Sequence, residues 1–403
     1  MSEKALEGVR VLELCEMVAG PYCGRLLADM GADVVKVERP GVGDPARRYG
    51  PFPDDVPHPE KSGLFLYANL NKRGVTLDVE TPTGRRLLAD LVRRADVVLE
   101  DRPPSEAQRL GLDYATLSAV NDQIIVTSVT PFGQTGPYAN FKAYPLNTFH
   151  AGGEGYFLPG GAEWLSRPPV HGGGAFLGDY DSGLAAGVAT VAALYDRAVS
   201  GRGQRVDISR QEVLMSLNGL DLTKWQNAGK VETRADRGPR LGSTLRCKDG
   251  YVEINVNFNH HWAALVRALG SPAWATDERY AYYKGRLDND KELRASFETW
   301  SMSQTKRAVM ETLQAHGCPA GAVNDPADVL ASPQMQARGY FTEVSHPDAG
   351  RYKYASAPWK LSATPARYER AAPLHGEHNA DIFCRELGLP PAELADLRRA
   401  GVI

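Results

Sequence analysis

The first 130 residues alternate short apolar runs with amphipathic segments, and few folds accommodate that alternation. "VRVLEL" (9–14) reads as a buried strand, and "GPYCGRLLADMGA" (20–32) as a helix with Pro21 near its start and Gly31 at its end. "ADVVKVE", "GVTLDV" and "QIIVTSVT" supply further strands, while "TPTGRRLLADLVRRADVVLE" gives a helix followed by a strand. In that helix Thr81 caps, Pro82 takes the first position, and Leu87, Leu88, Leu91 and Val92 follow the helical period. Strands joined by helices of this length predict an open α/β layer fold, a parallel sheet with right-handed crossovers.

Between Thr135 and Gly178 the chain turns rich in glycine and proline, loses periodicity and keeps its aromatics, which predicts a loop that forms a site. A long apolar helix is expected from Gly183 to about Arg197, then a strand in "GRGQRVDISR" and one more helix over "QEVLMSLNGLDLTKWQNAG". Further on, a hairpin around Asp249-Gly250 and three helical patterns predict a small α+β domain, and the tail reads as strand then helix. The expected division is a large domain over 1–225, a small domain over 226–328 and a C-terminal segment, 329–403, that returns to the large one.

Composition excludes several classes of function. A net charge of -3, with no Lys/Arg run, offers no electrostatic footprint for nucleic acid or for an anionic membrane. The N-terminal stretch has no signal-peptide apolar core, and no apolar run is long enough to span a bilayer, so a soluble cytoplasmic enzyme is expected. The five cysteines are scattered and read as reduced thiols. "GVGDPA" (41–46) fits a dinucleotide fingerprint in letters, but "RRYGPFPDD" cannot continue as the required helix. "HGEH" (375–378) has the wrong spacing for a metal pair on one helical face and reads as a solvated turn. No metal site is expected.

"LGDYDSG" (177–183) holds the most informative carboxylates, Asp179 and Asp181, just ahead of the apolar helix. "DYDSG" misses the calcium-loop pattern. An aspartate there can be a helix cap. It can equally be an ionised nucleophile in a glycine-lined pocket, where the lack of side chains lets an acyl group approach.

Seven pieces of the chain, in order, resemble family III CoA-transferases, the group of formyl-CoA transferase, carnitine CoA-transferase and 2-methylacyl-CoA racemase. They are "LEGVRVLEL" with "VAGPYCGRLLADMGADVVKVERPGVGDPAR", then "NLNKRGVTLD", "TSVTPFGQTGPY", "LGDYDSG", "GRGQRVDISRQEVL", "GCPAGAVNDPADVLASPQMQARGYF" and "LHGEHN" with "LRRAGVI". The resemblance implies a Rossmann-like large domain with an inserted small α+β domain, in two chains that thread through each other as interlocked rings. A homodimer is implied, with a heteromer of paralogous chains as the alternative. It implies Asp179 as the catalytic aspartate, the acid of G-D-x-x-x-G, with Asp181 at a variable position. That carboxylate attacks an acyl-CoA to form an aspartyl anhydride and then an aspartyl-CoA thioester, which an acceptor carboxylic acid resolves. Coenzyme A is then a substrate, and no prosthetic group is implied.

By the same resemblance Arg39, Arg109 and Lys142, the backbone at Val18-Ala19 and Leu77-Asp78, and Tyr144 line the CoA groove. Asp101 and Arg102 fall where the family pattern differs, "LEDRPP" replacing "VENF-P-G". Formyl-CoA transferases carry a glutamine where Val18 stands and a polyglycine flap where this chain has "DRGPRLGS", so a larger, more apolar acid is expected. A racemase is the rival reading. It needs a second base, and at the family's histidine position this chain has Tyr144, a residue type with a pKa of about 10; His150 lies six residues on. A non-catalytic CoA-binding subunit is the other rival, and an intact Asp179 speaks against it.

Overall fold

The computed structural model describes residues 4–160, 166–168, 176–237 and 244–403. Six parallel strands make the main sheet: β1 Arg10–Glu13, β2 Asp33–Glu38, β3 Arg73–Thr76, β4 Val97–Glu100, β5 Ile125–Thr130 and β6 Arg205–Ser209. Their order is β3-β2-β1-β4-β5-β6, so the direction of winding reverses between β1 and β4. The helices among and after them are α1 Ala19–Asp29, α2 Gly63–Ala68, α3 Pro82–Val92, α4 Pro104–Leu110, α5 Tyr114–Val120, α6 Pro145–Ala151, α7 Leu177–Ser200, α8 Arg210–Leu217 and α9 Gly219–Ala228.

Apolar runs without alternation are what a sheet covered on both faces demands, and both faces are covered. Val11, Val34, Val97, Leu99 and Ile125 pack with Cys23 and Leu27 of α1 and Ala186 and Ala193 of α7. Leu12, Val35, Val75, Val98 and Val126 pack with Leu87 and Leu91 of α3 and, from the far end of the chain, Ile382, Phe383, Leu394 and Ile403.

The chain divides into two compact units. One comprises Met1–Tyr156, Val170–Val231 and Arg338–Ile403, and holds the six-stranded sheet. The other comprises Phe157–Pro169 and Glu232–Ala337. It has an antiparallel sheet of β7 Thr244–Cys247, β8 Gly250–Ile254 and β9 Ala320–Ala322. Its own core is built on Leu245, Val252, Trp262, Leu265, Phe297, Val309 and Leu313.

Several local expectations are corrected. The long helix begins at Leu177 and not at Gly183, so "LGDYDSG" is itself helical. Gly, Asp and Ser are poor helix formers, and packing holds the turn: a side chain on Gly183 would come within 2.5 Å of the Ala19 carbonyl oxygen of α1. The single helix expected over 211–229 is two, broken at Asn218. The loop after Thr135 contains α6, which Pro145 opens. The tail holds a full hairpin, β10 Phe341–His346 with β11 Gly350–Ala355.

"HGEH" is not a solvated turn. His378 Nδ1 accepts the Gly74 amide at 3.1 Å, and the His378 amide donates to the Gly74 carbonyl at 2.9 Å. Asn379 accepts the Thr76 amide at 2.8 Å and donates to the Thr76 hydroxyl at 2.7 Å. This turn satisfies the outer face of β3, the edge strand, where unpaired backbone groups invite aggregation.

Candidate active site

Functional groups of an open parallel sheet gather beyond the carboxyl ends of its strands, at the point where the winding reverses. A cleft opens there, lined by Leu14 and Glu16 after β1, Arg39 after β2, Leu77, Asp78 and Glu80 after β3, and Arg102 after β4. The turn after β3 is pinned from the end of the chain, with the Asp78 amide donating to the Val402 carbonyl at 2.8 Å. Arg39 and Arg109 both face Glu80, at 3.3 and 3.5 Å, and all three side chains are about half exposed. Across the reversal point, Arg102 grips the Glu16 carboxylate at 2.8 and 3.3 Å, while the Glu16 amide donates to Asp101 Oδ2 at 2.8 Å. The loops after β1 and β4 are thereby stitched together. Glu16 lies below the usual glutamate range because Arg102 outweighs its burial. Burial pushes Asp101 up to about 6 and Glu100 up to about 7.

Asp179 sits in the first turn of α7 and makes no side-chain cap bond, which removes the capping reading for this residue. Its carboxylate is buried. Arg210, the first residue of α8, donates from Nη1 to Asp179 Oδ1 at 2.7 Å. Among the described residues Asp179 Oδ2 is buried without a hydrogen-bond partner, and so are Arg210 Nε, Asp101 Oδ1 and Thr130 Oγ1. Burial raises the Asp179 carboxyl above the usual aspartate value, and Arg210 opposes that rise. The same guanidinium acts on Asp101. Asp181 is half-buried, with Glu154 as its charged neighbour. The glycine at 183 serves the packing of α7 on α1, not the approach of a ligand, and Gly172, Gly173 and Gly174 lie outside the described residues.

Sequence reasoning missed the buried ions that hold the loop between β1 and α1. Lys36 is fully buried, paired with Glu13 at 3.2 Å and Asp44 at 2.8 Å, and donates to the Cys15 carbonyl at 3.0 Å. Asp44 in turn accepts the Met17 amide at 3.0 Å, at a residue whose φ is 64°. A non-glycine residue there needs such support. Lys72 pairs with Glu13 at 2.7 Å. Beyond this loop Val18 and Ala19 enter α1, both buried. Alternating apolar and charged letters in "ADVVKVE" were the only available signal, and they read equally well as solvent-facing charge.

Arg210 was also missed, since "DISRQE" places it among ordinary surface letters. Lys142 and Tyr144 form a pair of their own, the ammonium 5.6 Å from the ring centroid, with Tyr144 exposed at the start of α6. The His150 ring packs edge-on to Phe149 at 5.9 Å and lies against Gly155. Among the described residues no group of three His, Cys, Asp or Glu is placed to hold a metal ion, and no helix is long and apolar enough to cross a membrane.

The model of CoA-transferase family III matches residues 6–379. Formyl-CoA:oxalate CoA-transferase of Bradyrhizobium diazoefficiens is 34% identical, covering 99% of this chain and 97% of that protein. Succinyl-CoA--D-citramalate CoA-transferase of Chloroflexus aurantiacus is likewise 34% identical, over 99% and 98% of the two chains. Among solved structures, a CaiB/BaiF family protein from Brucella suis superposes with a TM-score of 0.83 at 32% identity, covering 95% of this chain and 100% of that one. The family model covers nearly the whole chain and relatives named as CoA-transferases match it end to end, so the chain belongs to CoA-transferase family III and is an enzyme of that family.

Proposed function

We propose that this enzyme moves CoA from an acyl-CoA to a free carboxylic acid with Asp179 as nucleophile, through an aspartyl anhydride and an aspartyl-CoA thioester. One observation carries the reading: Arg210 fixes one oxygen of a buried carboxylate and leaves the other, Oδ2, without a partner. A carboxylate stripped of water and oriented by one cation is a stronger nucleophile than a hydrated one. It is closed to solvent in this state, so a thioester reaches it only when the groups covering it part.

Arg39, Arg109 and Arg102 supply cations along the cleft for the polyanionic end of CoA, and Leu77-Asp78 and Val18-Ala19 supply backbone. Lys142, Tyr144 and Asp101 complete the proposed groove. Tyr180, beside Asp179, meets the Tyr22 ring edge-on at 5.0 Å and the Tyr67 ring at 6.0 Å, and Phe176 meets Tyr49 at 5.2 Å. These rings put apolar surface close to Asp179 in the chain, which supports a larger, apolar acid over formate or oxalate. Of "DRGPRLGS" (236–243), the stretch that stands where formyl-CoA transferases carry the polyglycine flap, residues 238–243 lie outside the described residues.

The enzyme is proposed to be an interlocked dimer in the cytoplasm. Val188, Tyr195 and Val199 leave an exposed apolar stripe along α7, and Leu220 and Trp225 another on α9, which a second copy would cover. The test is intact-mass spectrometry after incubation with formyl-, acetyl-, succinyl-, hexanoyl- and benzoyl-CoA, each paired with the other free acids. A CoA adduct that maps to Asp179, with CoA reaching an added acid, is the expected result. Deuterium uptake at the α-carbon of a 2-methylacyl-CoA without transfer would replace this reading with the racemase.

A further inference from the structure

We propose that Arg210 becomes the receptor for the substrate carboxylate once Asp179 is esterified, so that one guanidinium serves the resting enzyme and the covalent stage in turn. The proposal rests on Asp179 being the nucleophile.

Charge accounting requires such a handover. In the resting enzyme Arg210 and Asp179 neutralise each other at 2.7 Å, with side chains only 16% and 4% exposed. Acylation turns the aspartate into a neutral anhydride or thioester and strips the buried guanidinium of its counter-ion. Removing one partner of a buried pair is strongly unfavourable. At that same stage the reaction supplies a replacement, first the departing donor acid and then the incoming acceptor.

Arg210 is well placed to take it. Ser209 ends β6 and caps α8 by accepting the Glu212 amide, so the arginine leaves from a fixed strand end. Its Nε is buried without a partner, which gives the guanidinium unused donor capacity. Asp101 is the internal competitor, but Arg102 rather than Arg210 is its principal cation, 3.8 Å from Oδ1, while Oδ2 accepts the Glu16 amide at 2.8 Å. Because Arg210 Nη1 lies 2.7 Å from Asp179 Oδ1, a carboxylate taken up by the same guanidinium would be a close neighbour of the Asp179 carboxyl group.

The steps then balance. An acceptor carboxylate oxygen attacks the carbonyl carbon of the aspartyl-CoA thioester, and the C–S bond breaks to release CoA thiolate. The thiolate attacks the acceptor's carbonyl carbon in the resulting anhydride, and the C–O bond to Asp179 breaks. The acyl-CoA leaves, the aspartate regains its charge and Arg210 pairs with it again. No net proton moves, and the guanidinium near Oδ1 stabilises the oxyanion that develops at each stage.

The experiment compares wild type with Arg210→Met and Arg210→Lys, using the best donor and acceptor of the panel above. Arg210→Met is expected to raise the KM for the acceptor acid about tenfold to a hundredfold, the worth of a charge-assisted hydrogen bond. The KM for acyl-CoA should rise by no more than about threefold, and because Arg210 also orients Asp179, the CoA adduct from acyl-CoA alone should form more slowly than in the wild type. Arg210→Lys keeps the charge without the fork and should recover part of the loss. It also supplies the same comparison should the methionine variant not fold. An acceptor KM equal to wild type in the variants, or an equal rise in both KM values, overturns the proposal and leaves Arg210 as a group that only orients Asp179. Failure of the nucleophile assignment looks different: the wild type itself forms no adduct, and Asp179→Asn keeps its activity.

Discussion

The cleft beyond β2 and β3 and the pocket around Asp179 use the same ingredients, arginine against carboxylate, in opposite surroundings. Arg39 meets Glu80 at 3.3 Å with the two side chains 58% and 46% exposed. Arg210 meets Asp179 at 2.7 Å, almost out of solvent. Exposed pairs gain little from each other and exchange partners freely, which suits a surface that must let go of Glu80 to take up a phosphate. A buried pair cannot lose one member without another charge to replace it, which suits a group whose charge changes during the reaction. One region is proposed to hold substrate, and the other to change it.

The largest effect should come from the pocket. Asp179→Asn is expected to remove transfer by at least about a thousandfold, the scale seen when a nucleophile is lost, with the far-ultraviolet circular dichroism spectrum preserved. Asp181→Asn should stay within about twofold in steady-state rate, since that carboxylate is a half-buried neighbour of Glu154. If instead Asp181→Asn is the dead enzyme, the wrong acid has been assigned to the pocket.

Next comes the link between the regions. Lys36→Met leaves Glu13 and Asp44 buried beside an apolar chain and should cost about 3–5 kcal/mol in urea unfolding. A loss below about 1 kcal/mol would show that the loop between β1 and α1 stands without its ions.

Arg39→Ala and Arg109→Ala test the cleft. Each is expected to raise the KM for acyl-CoA by about three- to tenfold with kcat nearly unchanged, because contacts remote from the reacting bond bind ground and transition states alike. Their stability should move by no more than about 0.5 kcal/mol. A kcat loss at unchanged KM would move them to the side of the pocket.

The smallest effect belongs to the edge turn. Burial lowers the His378 pKa, and its Nδ1 accepts the Gly74 amide only when unprotonated. The unfolded chain therefore takes up this proton first. The contribution is complete above about pH 6.5, the ordinary histidine value, and fades as the pH falls toward the lowered value of the folded state. His378→Gln should flatten the fall in melting temperature below pH 6.5. An identical pH profile would assign that fall to other groups, of which His346 is the nearest in kind, with its pKa also lowered by burial.

Much of the large sheet was legible because strand and helix there differ in period. The runs 9–14, 32–38 and 123–130 are short and rich in Val and Ile, and Thr81 with Pro82 marks a helix start that the structure keeps, Thr81 accepting the Gly84 amide at 2.9 Å. The start of α7 was not legible. Gly178, Asp179, Asp181 and Ser182 favour caps and turns by local preference, and only the close approach of α1 makes that turn helical. Nor was the part played by "LHGEHN", whose partners Gly74 and Thr76 lie some 300 residues away.

By itself the sequence determined the family and the alternation of strand and helix along the chain, because both are written in neighbouring letters: a period, a cap, a G-D-x-x-x-G. Which charges are buried and what they face was decided only in three dimensions. Lys36 and Arg39 stand three positions apart near the end of one strand, yet one is sealed between Glu13 and Asp44 and the other is open to solvent. Arg210 looks like any surface arginine until β6 and α8 carry it to Asp179. The physical reason is range. Secondary structure follows from preferences over a few residues, whereas desolvation and ion pairing depend on how all the packed elements enclose a group, and no local stretch of the chain contains that.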